Sequence, residues 1–142
     1  MEGIKKMSNF TEKRVLVTGG YGYIGSQLLK RLEADRIEYI SVDKKHEDSA
    51  KTKSLDLSQS EQTIAFIKEF KPDVLVHCGT HSAMAYKNNF LVSFREDTNV
   101  LENIIVALKL FPKCRLVFFS SSYIYSGMPL DKSFTEDVEL HP

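Results

Sequence analysis

A glycine-rich segment directly follows the first apolar, β-branched run of the chain. The run covers residues 14–18 (RVLVT) and leads without a spacer into residues 19–25 (GGYGYIG). Behind the glycines, apolar side chains recur at helical spacing, at Ile24, Leu28, Leu29 and Leu32. A strand, a tight turn and a helix in this order form the first part of a βαβ unit, and such units build parallel sheets.

The rest of the chain repeats this alternation of strands and helices. We predict five strands, at residues 14–18, 38–43, 54–57, 74–78 and 115–120. A second helix is predicted between a Ser58 cap and the stop at residues 71–73, and a third around the apolar stripe from Val100 to Leu108. Residues 123–142 are predicted to be loop. The expected fold is α/β, a doubly wound parallel sheet in the order 3-2-1-4-5 with strand five at an edge.

Composition limits the class of protein. With 142 residues, one domain covering residues 1–142 is expected. Lys+Arg and Asp+Glu both number 19, so the net charge of zero favours neither nucleic acid nor an anionic membrane as partner. The chain shows neither a signal-peptide core nor the about 18 apolar residues of a membrane span, and we expect a cytoplasmic location. Cys78 and Cys114 are expected to be reduced thiols, and no metal site is expected.

Three of the glycines, Gly19, Gly22 and Gly25, have the spacing of a dinucleotide-binding loop. Such a loop needs the first glycine for a tight turn, the second for close approach of the pyrophosphate, and the third for helix–strand packing. The helix that follows offers N–H groups and a positive dipole end to phosphates. Glycines between a strand and a helix also occur for steric reasons alone. The second strand, however, ends at Asp43, 18 residues beyond Gly25, where a ribose-binding carboxylate is expected.

The spacing TGxxGxxG at residues 18–25 resembles the extended short-chain dehydrogenase/reductase family, whose members epimerise, dehydrate or reduce nucleotide-linked sugars with NAD(P). Asp56-Leu57 resembles the family's pair that contacts adenine, and residues 74–83 (VLVHCGTHSA) resemble its aliphatic strand beside the cofactor. Asn99 resembles the family's asparagine at the start of the fourth helix. Each segment also has a purely structural interpretation: a strand end before a cap, a packed Cys78, and a helix cap.

The resemblance implies NAD as the cofactor, with NADP possible if Lys44 and Lys45 reach a 2′-phosphate instead of being solvated. The implied cofactor-binding residues are Gly19, Gly22, Tyr23, Ile24, Gly25, Asp43, Lys44, Asp56, Leu57, Cys78, Gly79, Thr80, Asn99 and Ser120.

Residues 119–127 (FSSSYIYSG) resemble the family's fifth strand and the turn that carries its catalytic hydroxyl. An ungapped count back from Tyr125 places Ser121 on that hydroxyl, which in the family hydrogen-bonds the reacting substrate oxygen. Ser122 takes this place if a one-residue gap is allowed. A serine cluster that only satisfies loop backbone is the alternative. Within the family, this segment and residues 78–83 are similar to dTDP-4-dehydrorhamnose reductases and UDP-sugar 4-epimerases, so the subfamily stays open.

The chain departs from the family at its catalytic base, a tyrosine followed four residues later by a lysine. No tyrosine of this sequence has a lysine four residues later. The resemblance, which covers roughly the first half of a full-length member, places that pair beyond Pro142. We therefore expect the truncated NAD-binding portion of a nucleotide-sugar enzyme, inactive alone and able to form a homodimer. A non-catalytic nucleotide-binding or interaction module is the alternative.

Overall fold

A computed structural model describes residues 13–125, 135, 137 and 138. Five strands form one sheet in the order β3-β2-β1-β4-β5, and every neighbouring pair is parallel. Within the described residues β5 pairs with β4 only and forms an edge of the sheet. The predicted fold class, strand order and edge position are confirmed. The strands are β1 (Val15–Thr18), β2 (Tyr39–Asp43), β3 (Thr52–Ser54), β4 (Val74–His77) and β5 (Arg115–Phe118).

Four α-helices connect the strands: α1 (Tyr23–Ala34), α2 (Ser60–Phe70), α3 (Ala83–Asn88) and α4 (Phe90–Leu108). The third predicted helix was expected around its apolar stripe only, whereas α4 begins well before Val100 and follows a separate short helix. Two caps create this arrangement, because the Ser82 hydroxyl accepts from the N–H of Ala85 and the Asn89 side chain accepts from the N–H of Val92. Beyond β5, Ser122–Tyr125 form a 3₁₀ turn in the segment predicted as loop.

Two boundary predictions were wrong. The third strand was placed at residues 54–57, but β3 is Thr52–Ser54, where it pairs with residues 41–43 of β2. The apolar positions Leu55 and Leu57 lie after the end of the strand, where their side chains pack in the core. Ser58 does not cap α2, whose N-cap is Gln59. Instead, the N–H of Ser58 donates to Asp56 Oδ1 at 3.0 Å in a turn before the helix.

Helices cover both faces of the sheet, and each face has its own core. Leu16 and Leu75 lie on the face that packs against Ile67 of α2 and Ile104 of α4. The neighbouring positions on β1, Val15 and Val17, lie on the opposite face with Leu32 of α1. Burial on two faces explains why the strands are continuously apolar instead of alternating. None of the helices in the described ranges combines the length and apolarity that a membrane crossing requires.

Candidate functional site

A cleft of about 510 Å³ opens at the carboxyl ends of β1, β2 and β4. In doubly wound sheets this edge is where ligands bind, and the volume is typical of small-molecule sites. Its walls come from the glycine-rich loop, the loop after β2, the turn before α2, the loop after β4 and one face of α4. Nine of the predicted cofactor-binding residues line the cleft: Gly19, Gly22, Asp43, Lys44, Asp56, Leu57, Cys78, Gly79 and Thr80.

The space available for a side chain differs among the three spaced glycines. Gly19 has a φ of +65°, and a Cβ there would lie 2.4 Å from the Cα of Gly79. A Cβ on Gly25 would lie 2.2 Å from the carbonyl oxygen of Gly19. A Cβ on Gly22, by contrast, would meet a single atom of the described residues, the Gly19 oxygen at 3.3 Å. The fold therefore requires glycine at positions 19 and 25, whereas at position 22 the absent side chain leaves room beside the cleft.

The same loop leaves the start of α1 open to a ligand. Gly22 is the N-cap of this helix and makes no side-chain cap hydrogen bond. The first N–H groups of an α-helix have no partner within the helix, and the dipole makes this end positive. A glycine cradle beside such an uncapped helix start suits a phosphate. These local features fit the pyrophosphate of a dinucleotide.

Acidic and basic side chains form the wall on the β2 side. Oδ1 of Asp43 accepts from the N–H of Lys45 at 2.8 Å and lies 3.1 Å from His46 Nδ1. The ammonium of Lys44 lies 3.8 Å from Asp56 Oδ2 and 3.6 Å from Glu96 Oε2. Lys44 therefore forms ion pairs with two carboxylates, and these ion pairs compete with any contact between Lys44 and a 2′-phosphate.

Asp56 is held in its charged form. Burial by itself favours the protonated acid, but the hydrogen bonds from Ser58 and the charge of Lys44 outweigh it and lower the pKa of Asp56. Its carboxylate is therefore ionised at neutral pH. Such a group accepts hydrogen bonds but cannot donate them, which suits the amino edge of a purine or a ribose hydroxyl.

The wall on the β4 side is formed by residues 78–80, which directly follow that strand. The N–H of Cys78 donates to the carbonyl of Thr18 at 3.0 Å, so the chain stays beside β1 as it passes Gly19. Burial raises the pKa of the Cys78 thiol, which favours a protonated and unreactive side chain. Cys78 and Cys114 are both free cysteines in the structure.

His81 follows this segment and is held by two carboxylates of α4. Its Nδ1 lies 2.7 Å from Asp97 Oδ1, and its Nε2 lies 3.3 Å from Glu96 Oε2. Asp97 also accepts from the hydroxyl of Tyr86 at 2.9 Å. Among the described residues no three His, Cys, Asp or Glu side chains are grouped so as to hold a metal. The cluster therefore connects the loop after β4 to α4.

Five predicted cofactor-binding residues do not line the cleft. Tyr23 and Ile24 begin α1 with exposed side chains, and Gly25 packs against the loop. Asn99 was predicted at a helix start, but it lies in the middle of α4, and its Nδ2 donates to the carbonyl of Ser58 at 3.2 Å. Ser120 follows β5 and is exposed.

The predicted catalytic serine also lies outside the cleft lining. Ser121 is exposed, and its carbonyl accepts from the N–H of Ile124 at 3.2 Å. Ser122 begins the 3₁₀ turn. Which of the two carries the substrate-binding hydroxyl stays a prediction.

Sequence reasoning missed several residues of the cleft wall. Tyr21, His46, Glu96 and Asp97 line it. The position of Tyr21 inside the glycine-rich loop was a usable signal, because neighbouring loop residues were already assigned to the site. The acids of α4 gave no such signal, since their approach depends on how α4 packs on the sheet.

Comparison with known proteins agrees with this geometry. Residues 15–142 match the profile of the NAD dependent epimerase/dehydratase family. The curated GDP-L-colitose synthase of Yersinia pseudotuberculosis is 26% identical over 132 residues, which cover 89% of this chain and 39% of the relative. The UDP-glucose 4-epimerase of Thermus thermophilus, crystallised with NAD, is 25% identical with a TM-score of 0.76 and covers 91% of this chain and 44% of the epimerase.

Two further solved structures share the fold. The L-threonine dehydrogenase of Clostridium difficile has a TM-score of 0.78 at 20% identity and covers 92% of this chain and 43% of that enzyme. A dTDP-4-dehydrorhamnose reductase of Clostridium acetobutylicum has a TM-score of 0.71 at 23% identity, covering 91% and 43%. The resemblance to both predicted subfamilies is confirmed at the level of the fold. The chain spans only about two-fifths of the length of these relatives.

Proposed function

The chain belongs to the NAD dependent epimerase/dehydratase family, and from this premise we propose that it is the NAD-binding portion of a nucleotide-sugar epimerase, dehydratase or reductase. The observation that carries the proposal is the pairing of an uncapped start of α1 with Gly22 at the wall of the cleft. That pairing suits a pyrophosphate, and the cofactor of the family is NAD.

The residues of the cleft have separable roles toward this cofactor. The backbone of Gly22 and the first N–H groups of α1 hold the pyrophosphate. Asp43 accepts from the 2′-hydroxyl of the adenosine ribose, and its charge repels a 2′-phosphate. Asp56-Leu57 lie beside adenine, and residues 78–80 continue the site past β4. Bound NAD supplies the acceptor and donor of the hydride that is exchanged with a sugar carbon in the full-length enzyme.

We further propose that this chain alone does not turn over a nucleotide sugar. Ser121, or Ser122 if the alignment is shifted by one, contributes a hydroxyl that orients the substrate oxygen. The base that must take the proton is not in the sequence, because no tyrosine is followed four residues later by lysine. A positioned general base contributes about 10²–10⁴-fold to the rate. Assays with UDP-glucose and related nucleotide sugars should show no product, and turnover that depends on Ser121 would contradict the proposal.

Cofactor titration tests the binding role. Intrinsic fluorescence of NADH and NADPH, followed during addition of protein, should show saturable binding of both with the smaller Kd for NADH. The reason is the carboxylate of Asp43, together with the engagement of Lys44 by Asp56 and Glu96. A clear preference for NADPH would show that Lys44 and Lys45 dominate, and the assignment of Asp43 would then be wrong.

A non-catalytic nucleotide-binding or interaction module with the same fold is the second candidate. It requires only the cleft and the start of α1, both of which lie within the described residues. The two candidates differ in what the coding sequence contains after Pro142: continuation into a Tyr-x-x-x-Lys motif supports the enzyme portion, and a stop codon supports the module. The cytoplasmic location and the homodimer stay predictions, as does the lack of a nucleic-acid or membrane partner.

A further inference from the structure

Two loops of the cleft meet in a stacked pair of rings, Tyr21 from the glycine-rich loop and His46 from the loop after β2. Their ring centroids are 3.6 Å apart, and the ring planes differ by 12°. Both residues line the cleft. The Tyr21 ring is anchored, because its hydroxyl hydrogen-bonds the hydroxyl of buried Thr52 in β3.

The other edge of the His46 ring faces Asp43. His46 Nδ1 lies 3.1 Å from Asp43 Oδ1. This is a close contact between an imidazole and a carboxylate. The same Oδ1 accepts from the N–H of Lys45. In the described part of the chain both contacts of this carboxylate use Oδ1, which leaves Oδ2 for another donor.

These contacts form a continuous series from β3 to the end of β2. Thr52 hydrogen-bonds the Tyr21 hydroxyl, the Tyr21 ring stacks on the His46 ring, and His46 contacts one oxygen of Asp43. We propose that Tyr21 and His46 are positioning residues for Asp43, and that as a unit they set the preference of the site for a ribose 2′-hydroxyl over a 2′-phosphate. This inference rests on the proposed binding of NAD.

Loss of either ring has a predictable consequence for Asp43. Without His46 the carboxylate keeps only the backbone donor on Oδ1 and gains rotational freedom, so its hydrogen bond to the ribose costs more conformational entropy on binding. A mobile carboxylate also turns away from a 2′-phosphate more readily, which weakens the repulsion. Affinity for NADH should fall, whereas affinity for NADPH should fall less or rise.

A double-mutant cycle on Tyr21 and His46 tests this, with the Kd for NADH and for NADPH as the readout. His46→Ala and Tyr21→Ala should each lower the NADPH-to-NADH ratio of Kd values, on the order of tenfold. The double variant should lower the ratio no further, because either single change already breaks the same series of contacts between Thr52 and Asp43. Tyr21→Phe is the matched variant: it keeps the stacked ring and loses only the hydrogen bond to Thr52, so it should lower the ratio less than Tyr21→Ala does.

Thermal unfolding of each variant separates a lost fold from a changed preference. An unchanged ratio in a folded His46→Ala protein that still binds NADH would overturn the inference alone, and so would strictly additive effects in the double variant. A wild-type protein that binds neither cofactor would overturn the proposed function and the inference together.

Discussion

Thr18 and His77 meet inside the sheet, with Thr18 Oγ1 2.6 Å from His77 Nδ1. The two residues are direct partners in the parallel register of β1 and β4, and each is 1% exposed. The same hydroxyl lies 3.4 Å from the N–H of Gly79. This contact therefore lies directly beneath the point where the glycine-rich loop and the loop after β4 diverge around the cleft.

Replacing Thr18 with Val tests the contact, because the two side chains have the same shape and only the hydroxyl is lost. His77 Nδ1 would then be buried without a partner, which costs about 1–3 kcal/mol of the free energy of unfolding. Urea denaturation measures the loss. Thr18→Ser keeps a hydroxyl and should lose less. If the Val variant is as stable as wild type, the hydrogen bond does not contribute.

His77 should also make stability depend on pH. Burial lowers the pKa of its imidazole, an effect that Asp97 only partly opposes. Above the ordinary histidine pKa of about 6.5, His77 is neutral in the folded and unfolded states, and it adds no pH dependence. As the pH falls below that value, the unfolded chain binds the proton first, so the free energy of unfolding decreases until the lowered pKa of the folded state is passed.

Denaturation curves between pH 7 and pH 5 check this prediction against a His77→Gln variant, which keeps hydrogen-bonding groups but does not titrate. The slope of stability against pH should be smaller in the variant. The carboxylates with a lowered pKa, such as Asp56 and Asp73, lose their contributions at still lower pH, as the pH falls below their unfolded values of about 4 and through their lowered folded values. Equal slopes in the two proteins would contradict the assignment.

Substitutions at Gly25 and at Gly22 should differ in their effect on the stability of the protein. Gly25→Ala places a Cβ 2.2 Å from the Gly19 carbonyl oxygen, a backbone atom that cannot yield without moving the loop. Overpacking of this kind costs about 1–3 kcal/mol. Gly22→Ala meets a backbone oxygen at 3.3 Å, a tight contact that a small shift relieves, and has an ordinary extended backbone, so its melting temperature should fall less than that of Gly25→Ala. Equal melting temperatures for the two variants would refute this distinction.

A buried hydroxyl in β2 offers a stabilising change. Ser41 is fully buried, and its Oγ has no hydrogen-bond partner among the residues that the structure describes. An unsatisfied buried polar group is unfavourable, so Ser41→Ala should leave stability unchanged or raise it by up to about 1 kcal/mol. Differential scanning calorimetry gives the comparison. A marked loss of stability would mean that Ser41 has a partner in solution.

The parts of the fold that sequence predicted well are those with local causes. The strand, glycine turn and helix around Gly19 are marked by residues that are neighbours in the sequence, and the parallel order followed from repeated βαβ units. The start of β3 depends instead on its pairing with Ser41, and the start of α4 depends on the Asn89 cap. Neither is visible in hydrophobic periodicity.

The residues of the candidate site also divide into those that the sequence pattern predicts and those that depend on contacts between distant segments. Asp43 and Gly79 were predictable because the carboxyl ends of parallel strands share one edge of the sheet. His46 was not, because its role arises from a ring contact with Tyr21 across two loops. Asn99 was placed correctly in the chain but misassigned to a helix start, since α4 is longer than its apolar stripe.

Isothermal titration of NADH into wild type and into Gly22→Val tests the central claim most directly. The Val side chain is compatible with the extended backbone at this position but occupies the room beside the cleft. We predict saturable binding to wild type, and no detectable binding to a Gly22→Val protein that thermal unfolding shows to be folded. Absence of binding to wild type, or equal affinity in the two folded proteins, would contradict a dinucleotide site at this loop.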